Sequence, residues 1–115
     1  MIDKWIKEIK KEGPADMLGM ILYHNGIVRA TAKDGGKVRA MNLSYDKAKL
    51  EASVRRFKKK DGIADIKAWI NEGRLKIGDD IMKVCVAGRF RKDVLPVFQE
   101  LITMIKTEII GEEEL

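Results

Sequence analysis

The stretch Ala64 to Ala87, ADIKAWINEGRLKIGDDIMKVCVA, decides the fold. Ala64, Ile66, Ala68 and Ile70 alternate with Asp65, Lys67, Trp69 and Asn71, the period of two that marks a strand with one buried face. Glu72 and Gly73 then form a turn, Arg74 to Ile77 a short segment, and Gly78, Asp79 and Asp80 a second turn. Ile81 to Ala87 returns as an apolar strand. Strands separated only by turns and one short segment point to an antiparallel sheet.

Working outward, Asp46 to Lys60 reads as a helix with Leu50, Val54 and Phe57 on one face and Lys47, Glu51, Lys58 and Lys59 elsewhere; Asp61 and Gly62 close it. Upstream, Met17 to Tyr23 is apolar with little polar relief, as in a central strand covered on both faces. Asn25 and Gly26 offer a turn or bulge, and Ile27 to Ala32 resumes as strand. The polar turn Lys33 to Gly36 leads into Val38 to Leu43, which predicts a hairpin. At the start, Ile2, Trp5, Ile6 and Ile9 recur at helical spacing among Lys4, Lys7, Glu8 and Lys11, and Gly13 with Pro14 ends that helix. A last helix begins near Asp93, with apolar periodicity running from Val94 to Ile110; Pro96 fits only in its first turn. The order helix, hairpin, helix, two strands, helix predicts an α+β fold, a mostly antiparallel sheet with three packed helices. Residues 1–115 form one expected domain, with an acidic tail at 111–115.

Composition narrows the function. With 45% hydrophobic and 36% charged residues the chain reads as a soluble globular protein. Its apolar runs are too short for a bilayer span, and its first residues lack a signal peptide's apolar core, so a cytoplasmic protein without membrane contact is expected. One Cys and one His exclude an internal disulfide and a soft-ligand metal cluster, so neither metal nor cofactor is expected. The net charge is +5 although Glu112, Glu113 and Glu114 crowd the C-terminus, so the body is more basic still and favours anionic partners.

Each candidate residue has a plain reading beside a chemical one. Arg55, Arg56, Lys58, Lys59 and Lys60 offer cations to a phosphate backbone, yet cations at a helix C-terminus also complement its dipole. Without interleaved aromatic residues the second reading is preferred and nucleic acid is disfavoured. Asp34, Gly35 and Gly36 read as a turn. His24 has no triad partner nearby and reads as structural; Cys85 reads as a small buried hydrophobe. Lys106 sits among Met104, Ile105, Ile109 and Ile110. Either it snorkels to water, which spacing alone favours, or desolvation frees its amine to act as nucleophile or base.

Several short motifs fall in a shared order. Gly26, Ile27, Val28 and Arg29 match a Gly-Thr-Val-Arg signature, and Val38 to Tyr45 resembles the strand and helix start that follow it. Gly73 to Asp79 matches a Gly-x-Leu-x-x-Gly-Asp/Glu segment. Arg91 matches the arginine of a His-Arg pair, and Lys106 the lysine of an Asp-x-Leu-Lys helix. From Met17 to Lys106 the chain thus resembles the large, catalytic subunit of molybdopterin synthase, the MoaE family. The resemblance implies an α/β-hammerhead type of fold and a synthase that adds two sulfurs to a cyclic pyranopterin monophosphate. It also implies a small ubiquitin-like sulfur-carrier subunit, whose C-terminal Gly-Gly bears the thiocarboxylate, and a homodimer, for which Leu95, Ile102 and Ile109 offer apolar surface. Lys106 would be the catalytic amine, with Arg29, Arg91 and Arg39 holding the anionic substrate. Phe90 stands where the family has the histidine of its His-Arg pair, Ile70 and Asn71 replace a second such pair, and Glu113 stands at a second lysine. Two expectations follow, an active synthase subunit of the molybdenum cofactor pathway or a non-catalytic binding relative.

Overall fold

The computed structural model describes residues 1–115. In chain order the elements are α1 (Ile2–Glu12), a short 3-10 turn (Ala15–Met17), β1 (Met20–Ile27), β2 (Ala40–Tyr45), α2 (Lys47–Lys58), β3 (Ile63–Ile70), β4 (Gly73–Lys76) and β5 (Asp80–Gly88). They are followed by α3 (Arg91–Met104), a π-helical turn (Ile105–Ile109) and β6 (Ile110–Glu114). The strands form two antiparallel sheets, ordered β1-β5-β3 and β4-β2-β6. The α+β architecture with three helices and antiparallel pairing agrees with the reading of the sequence, except that the expected single sheet is two.

The stretch that decided the fold supplies the scaffold. Ile66 lies opposite Val86, Lys67 opposite Cys85 and Ala68 opposite Val84, so the alternation of β3 is carried across to β5. Ile66, Ile70, Met82, Val84 and Val86 face the main core, where Phe57 of α2 and Val94, Val97 and Leu101 of α3 meet them. Cys85 and Ala87 face the other way, onto Ile9 of α1. Covered on both faces, β5 is the central strand, and its near-continuous apolar run follows from that. Sequence reading gave the central place to Met17–Tyr23. Met20–Tyr23 of that segment belong instead to β1, an edge strand whose residues are half-buried or exposed, and Met17 ends the 3-10 turn before it.

Local chemistry sets the element ends. Asp46 caps α2 by accepting the Lys49 backbone N–H at 3.0 Å, and Arg55, Arg56 and Lys58 in its last turn complement the dipole. Gly62 has φ +81, and any side chain there would collide with the Asp93 carboxyl group. Asp93 is itself held by Arg89, 3.3 Å away. This packed corner fixes where α3 begins at Arg91, so Pro96 is its sixth residue and lies in the second turn, not the first turn expected of it.

Three local expectations are overturned. Ile27 ends β1 after a bulge at Gly26, and the hairpin expected of Ile27–Ala32 and Val38–Leu43 is reduced to its tip: Thr31 and Lys37 bridge, the Val38 N–H donates to the Ala30 carbonyl and the Ala32 N–H to the Gly36 carbonyl, while the rest of the crossing does not pair with itself. The reason is that buried Val28 donates its N–H to the Asp79 carbonyl and accepts from the Gly78 N–H, so the turn before β5 captures the chain. Asp34 to Gly36 is a turn, with the Gly36 N–H donating to the Asp34 side chain. The helix expected to reach Ile110 gives way at Met104 to the π turn. The acid-rich tail is a strand: β6 pairs with the otherwise free edge of β2, and the Leu115 N–H donates to the Ala40 carbonyl. No helix is long and apolar enough to cross a membrane.

Candidate functional site

A cleft of about 460 Å³ opens where the two sheets meet the π turn. Its walls come from distant parts of the sequence: Gly26 at the end of β1, Arg29 and Lys33 on the crossing segment, Met82 of β5, Lys106, and Glu112 with Glu114 of β6. Lys106 sits in the π turn that ends α3. Ile105 and Ile109 point into the core, four residues apart, and Lys106 between them is exposed at the cleft.

The expected site residues divide. Arg29 and Lys106 line the same cleft, and Arg39 and Arg91 do not. Arg39 stands just before β2, with its backbone N–H donating to the Leu115 carbonyl. Arg91 opens α3, whose 14 residues span about 21 Å, so a helix length separates it from Lys106. Beside it Phe90 is 53% exposed, with the Arg89 guanidinium 5.2 Å and the Lys92 ammonium 5.8 Å from the ring centre. Ile70 is buried in the core, and the Asn71 side chain donates to the Asp80 carbonyl.

The carboxylates differ from expectation. Along β6 the pleat sends Glu112 and Glu114 to the Lys106 cleft, and Glu113 to a broader depression of about 510 Å³ over Asn42, Ser44 and Arg74. Glu112 borders both. The anions that oppose Lys106 are therefore the neighbours of Glu113 and not Glu113 itself.

Three lining residues carry no sequence signal for the cleft: Lys33 reads as part of a turn, and Glu112 and Glu114 read as part of a tail. His24 is a fourth residue of interest, two residues before Gly26 on the same strand face. Its ring meets Phe98 edge-on at 6.5 Å, and its Nε2 is buried without a partner. Burial lowers its pKa below the ordinary 6.5, and the nearby charge of Lys106 lowers it further. Cys85 is fully buried, and desolvation pushes its thiol up to about 11, which removes it as a nucleophile. No three His, Cys, Asp or Glu side chains converge to hold a metal ion.

Three cations and two carboxylates line the cleft, a set that can seat an anion and keep a primary amine beside it. The arrangement is a two-sheet α+β fold with a cleft at the sheet junction that three cationic and two acidic side chains line. The family profile described as MoaE protein matches residues 2–108. An uncharacterized protein of Methanocaldococcus jannaschii is 33% identical over 92 residues, 76% of this chain and 77% of that one. The chain belongs to the MoaE family. Solved structures share the fold at lower identity. Molybdopterin synthase from Staphylococcus aureus superposes with a TM-score of 0.76 at 21% identity, covering 95% of this chain and 82% of that one. The MoaE protein of Burkholderia ambifaria gives 0.77 at 21%, covering 99% and 78%. The complex of subunits 1 and 2 of the molybdopterin-converting factor from Helicobacter pylori gives 0.72 at 21%, covering 99% and 77%.

Proposed function

We propose that this protein is the large subunit of a molybdopterin synthase in molybdenum cofactor biosynthesis, with Lys106 as its working amine. The observation that carries the reading is the meeting of Arg29 and Lys106, far apart in sequence, on one cleft. Arg29 and Lys33 hold the phosphate of a cyclic pyranopterin monophosphate by charge-assisted hydrogen bonds. The thiocarboxylate sulfur then bonds to a pterin side-chain carbon as the oxygen there leaves, with Lys106 giving or taking the proton, and water cleaves the acyl–sulfur bond, leaving sulfur on the pterin and a carboxylate on the small subunit. The sulfur arrives on a small ubiquitin-like subunit ending in Gly-Gly. The two-subunit complex from Helicobacter pylori supports a partner of this kind. Arg91, a helix length away, serves this cleft only from a second copy, which is the role a homodimer would give it.

The second reading is a MoaE relative that binds without turnover. It is favoured by Phe90 in place of a histidine and by the acidic side chains of β6 beside Lys106. The two readings separate when the protein is mixed with a thiocarboxylated small subunit and the precursor pterin, and dithiolene product is measured. Wild type is expected to form product and Lys106→Ala to lose it. Product from neither protein overturns the catalytic reading in favour of the binding one.

A further inference from the structure

We propose that His24 is a proton site coupled to anion binding in the Lys106 cleft: an anion settling against Arg29 and Lys106 draws a proton from solvent onto the imidazole, so anionic ligands bind more tightly as the medium is acidified. The inference rests on the cleft being an anion site, as argued above, and adds to it a means of control.

The geometry starts from β1. His24 and Gly26 are two residues apart and share a strand face, with Val84 and Met82 as their partners on β5. A side chain at Gly26 would sit 3.6 Å from His24 Nε2 and 3.4 Å from Met82, so the imidazole lies directly against this part of the cleft wall. Phe98 of α3 closes the other side of the ring. The elements packed around His24 thus present Val84, Met82 and Phe98, which carry no charge, and Lys106 from the π turn, whose ammonium is the charge that acts on the imidazole. Within the cleft the remaining charges are Arg29, Lys33, Glu112 and Glu114.

A buried nitrogen without a partner disfavours the fold, and an apolar side chain would fill the place without that cost. What a histidine adds is a group able to take a proton. Two effects keep it neutral, burial and the Lys106 charge. An anion in the cleft leaves the first unchanged and offsets the second, so the imidazolium form becomes more favourable when the cleft is filled. By reciprocity the protonated protein binds the anion more tightly, by the same factor.

His24 is the only histidine, so its ring resonances follow one residue in the intact wild-type protein. The probe is sulfate, whose charge is constant across the imidazole range, against chloride at equal ionic strength. Sulfate is expected to raise the His24 titration midpoint by about half a unit, and its affinity to rise about threefold across that titration. Lys106→Met, at an exposed position, is expected to raise the midpoint without sulfate. Sulfate binding that leaves the midpoint where chloride leaves it overturns the coupling, and so does a failure of sulfate to bind. The readout does not depend on turnover. An unmoved midpoint with dithiolene formation intact removes the coupling alone, and a shifted midpoint without product removes the synthase reading alone.

Discussion

The two sheets are built to opposite specifications. In the first, β5 is sandwiched: Met82, Val84, Cys85, Val86 and Ala87 have no exposed surface, and helices cover both faces. In the second, Met41, Leu43 and Leu75 are buried but alternate with exposed Asn42, Ser44 and Arg74, and the β6 edge is made of glutamates. The dry sheet fixes positions and the half-wet sheet presents polar side chains to solvent. The cleft lies at their junction, where Lys106 and Arg29 are anchored by buried neighbours, Ile105 and Val28, yet remain open to solvent. Polar groups near the first sheet are consequently costly, and those near the second are adjustable.

The largest contrast is in stability. Leu101 is wholly buried between α3 and the first sheet, so Leu101→Ala removes apolar contact and leaves a cavity, with an expected loss of about 3 to 4 kcal/mol. Asn42→Ala, on the exposed face of β2, is expected to change stability by less than about 0.5 kcal/mol. Urea unfolding curves with unchanged slopes measure both. Similar midpoint shifts for the two variants would break the distinction between scaffold and working surface.

A smaller effect tests the one polar group set against the dry side. In the folded state His24 titrates below 6.5, whereas the unfolded chain binds its proton near that value. Between the two the unfolded state holds more protons, so stability falls as pH drops from about 6.5 through the folded value. His24→Phe packs against Phe98, removes the orphaned nitrogen and abolishes this loss. It is expected to be more stable by about 1 kcal/mol at pH 5 and to differ less at pH 7.5. Thermal unfolding at the two pH values gives the comparison. A His24→Phe protein that loses stability on acidification as wild type does would show that other groups govern the acid limb.

Much of the scaffold was legible in the sequence because its signals are local. The alternation of Ile66 to Asn71, the apolar run of Ile81 to Ala87 and the helical faces of α1 and α2 each follow from a period that a short window contains, whereas the irregular register between Ile63 and Asp65 turns Ala64 onto the α1 face. Where competition between partners decided the outcome, the reading failed. Residues 27–43 have the pattern of a hairpin, and its tip forms at Thr31 and Lys37, but the backbone of Val28 found a better partner in the turn at Gly78 and Asp79 and the pairing stops there. Glu112 to Glu114 have a tail's composition, yet β2 offered them an unpaired edge, and backbone pairing tolerates exposed carboxylates. Arg29 and Lys106 were found through motif resemblance and not through spacing. Lys33 and His24 carried no motif, and only the fold brings them to the cleft or against its wall.

The finest test of the contrast uses the strand that the sequence disguised as a tail. Its backbone pairing with β2 leaves the side chains free to be changed, and the pleat divides them between two surfaces. Neutralising Glu112 and Glu114 removes two negative charges from the cleft that Lys106, Arg29 and Lys33 also line. Both are exposed, so water screens the effect and the expected gain in sulfate affinity is modest, about threefold for the pair Glu112→Gln and Glu114→Gln at low salt. Glu113→Gln changes the net charge as well, but its side chain faces the other depression. Its effect is expected to be well below that of the pair and to vanish as salt is raised. Isothermal titration at two ionic strengths separates the cases. If Glu113→Gln matched the double variant, the overall field of the protein would govern anion binding, and the division of labour between the two faces of β6 would fail.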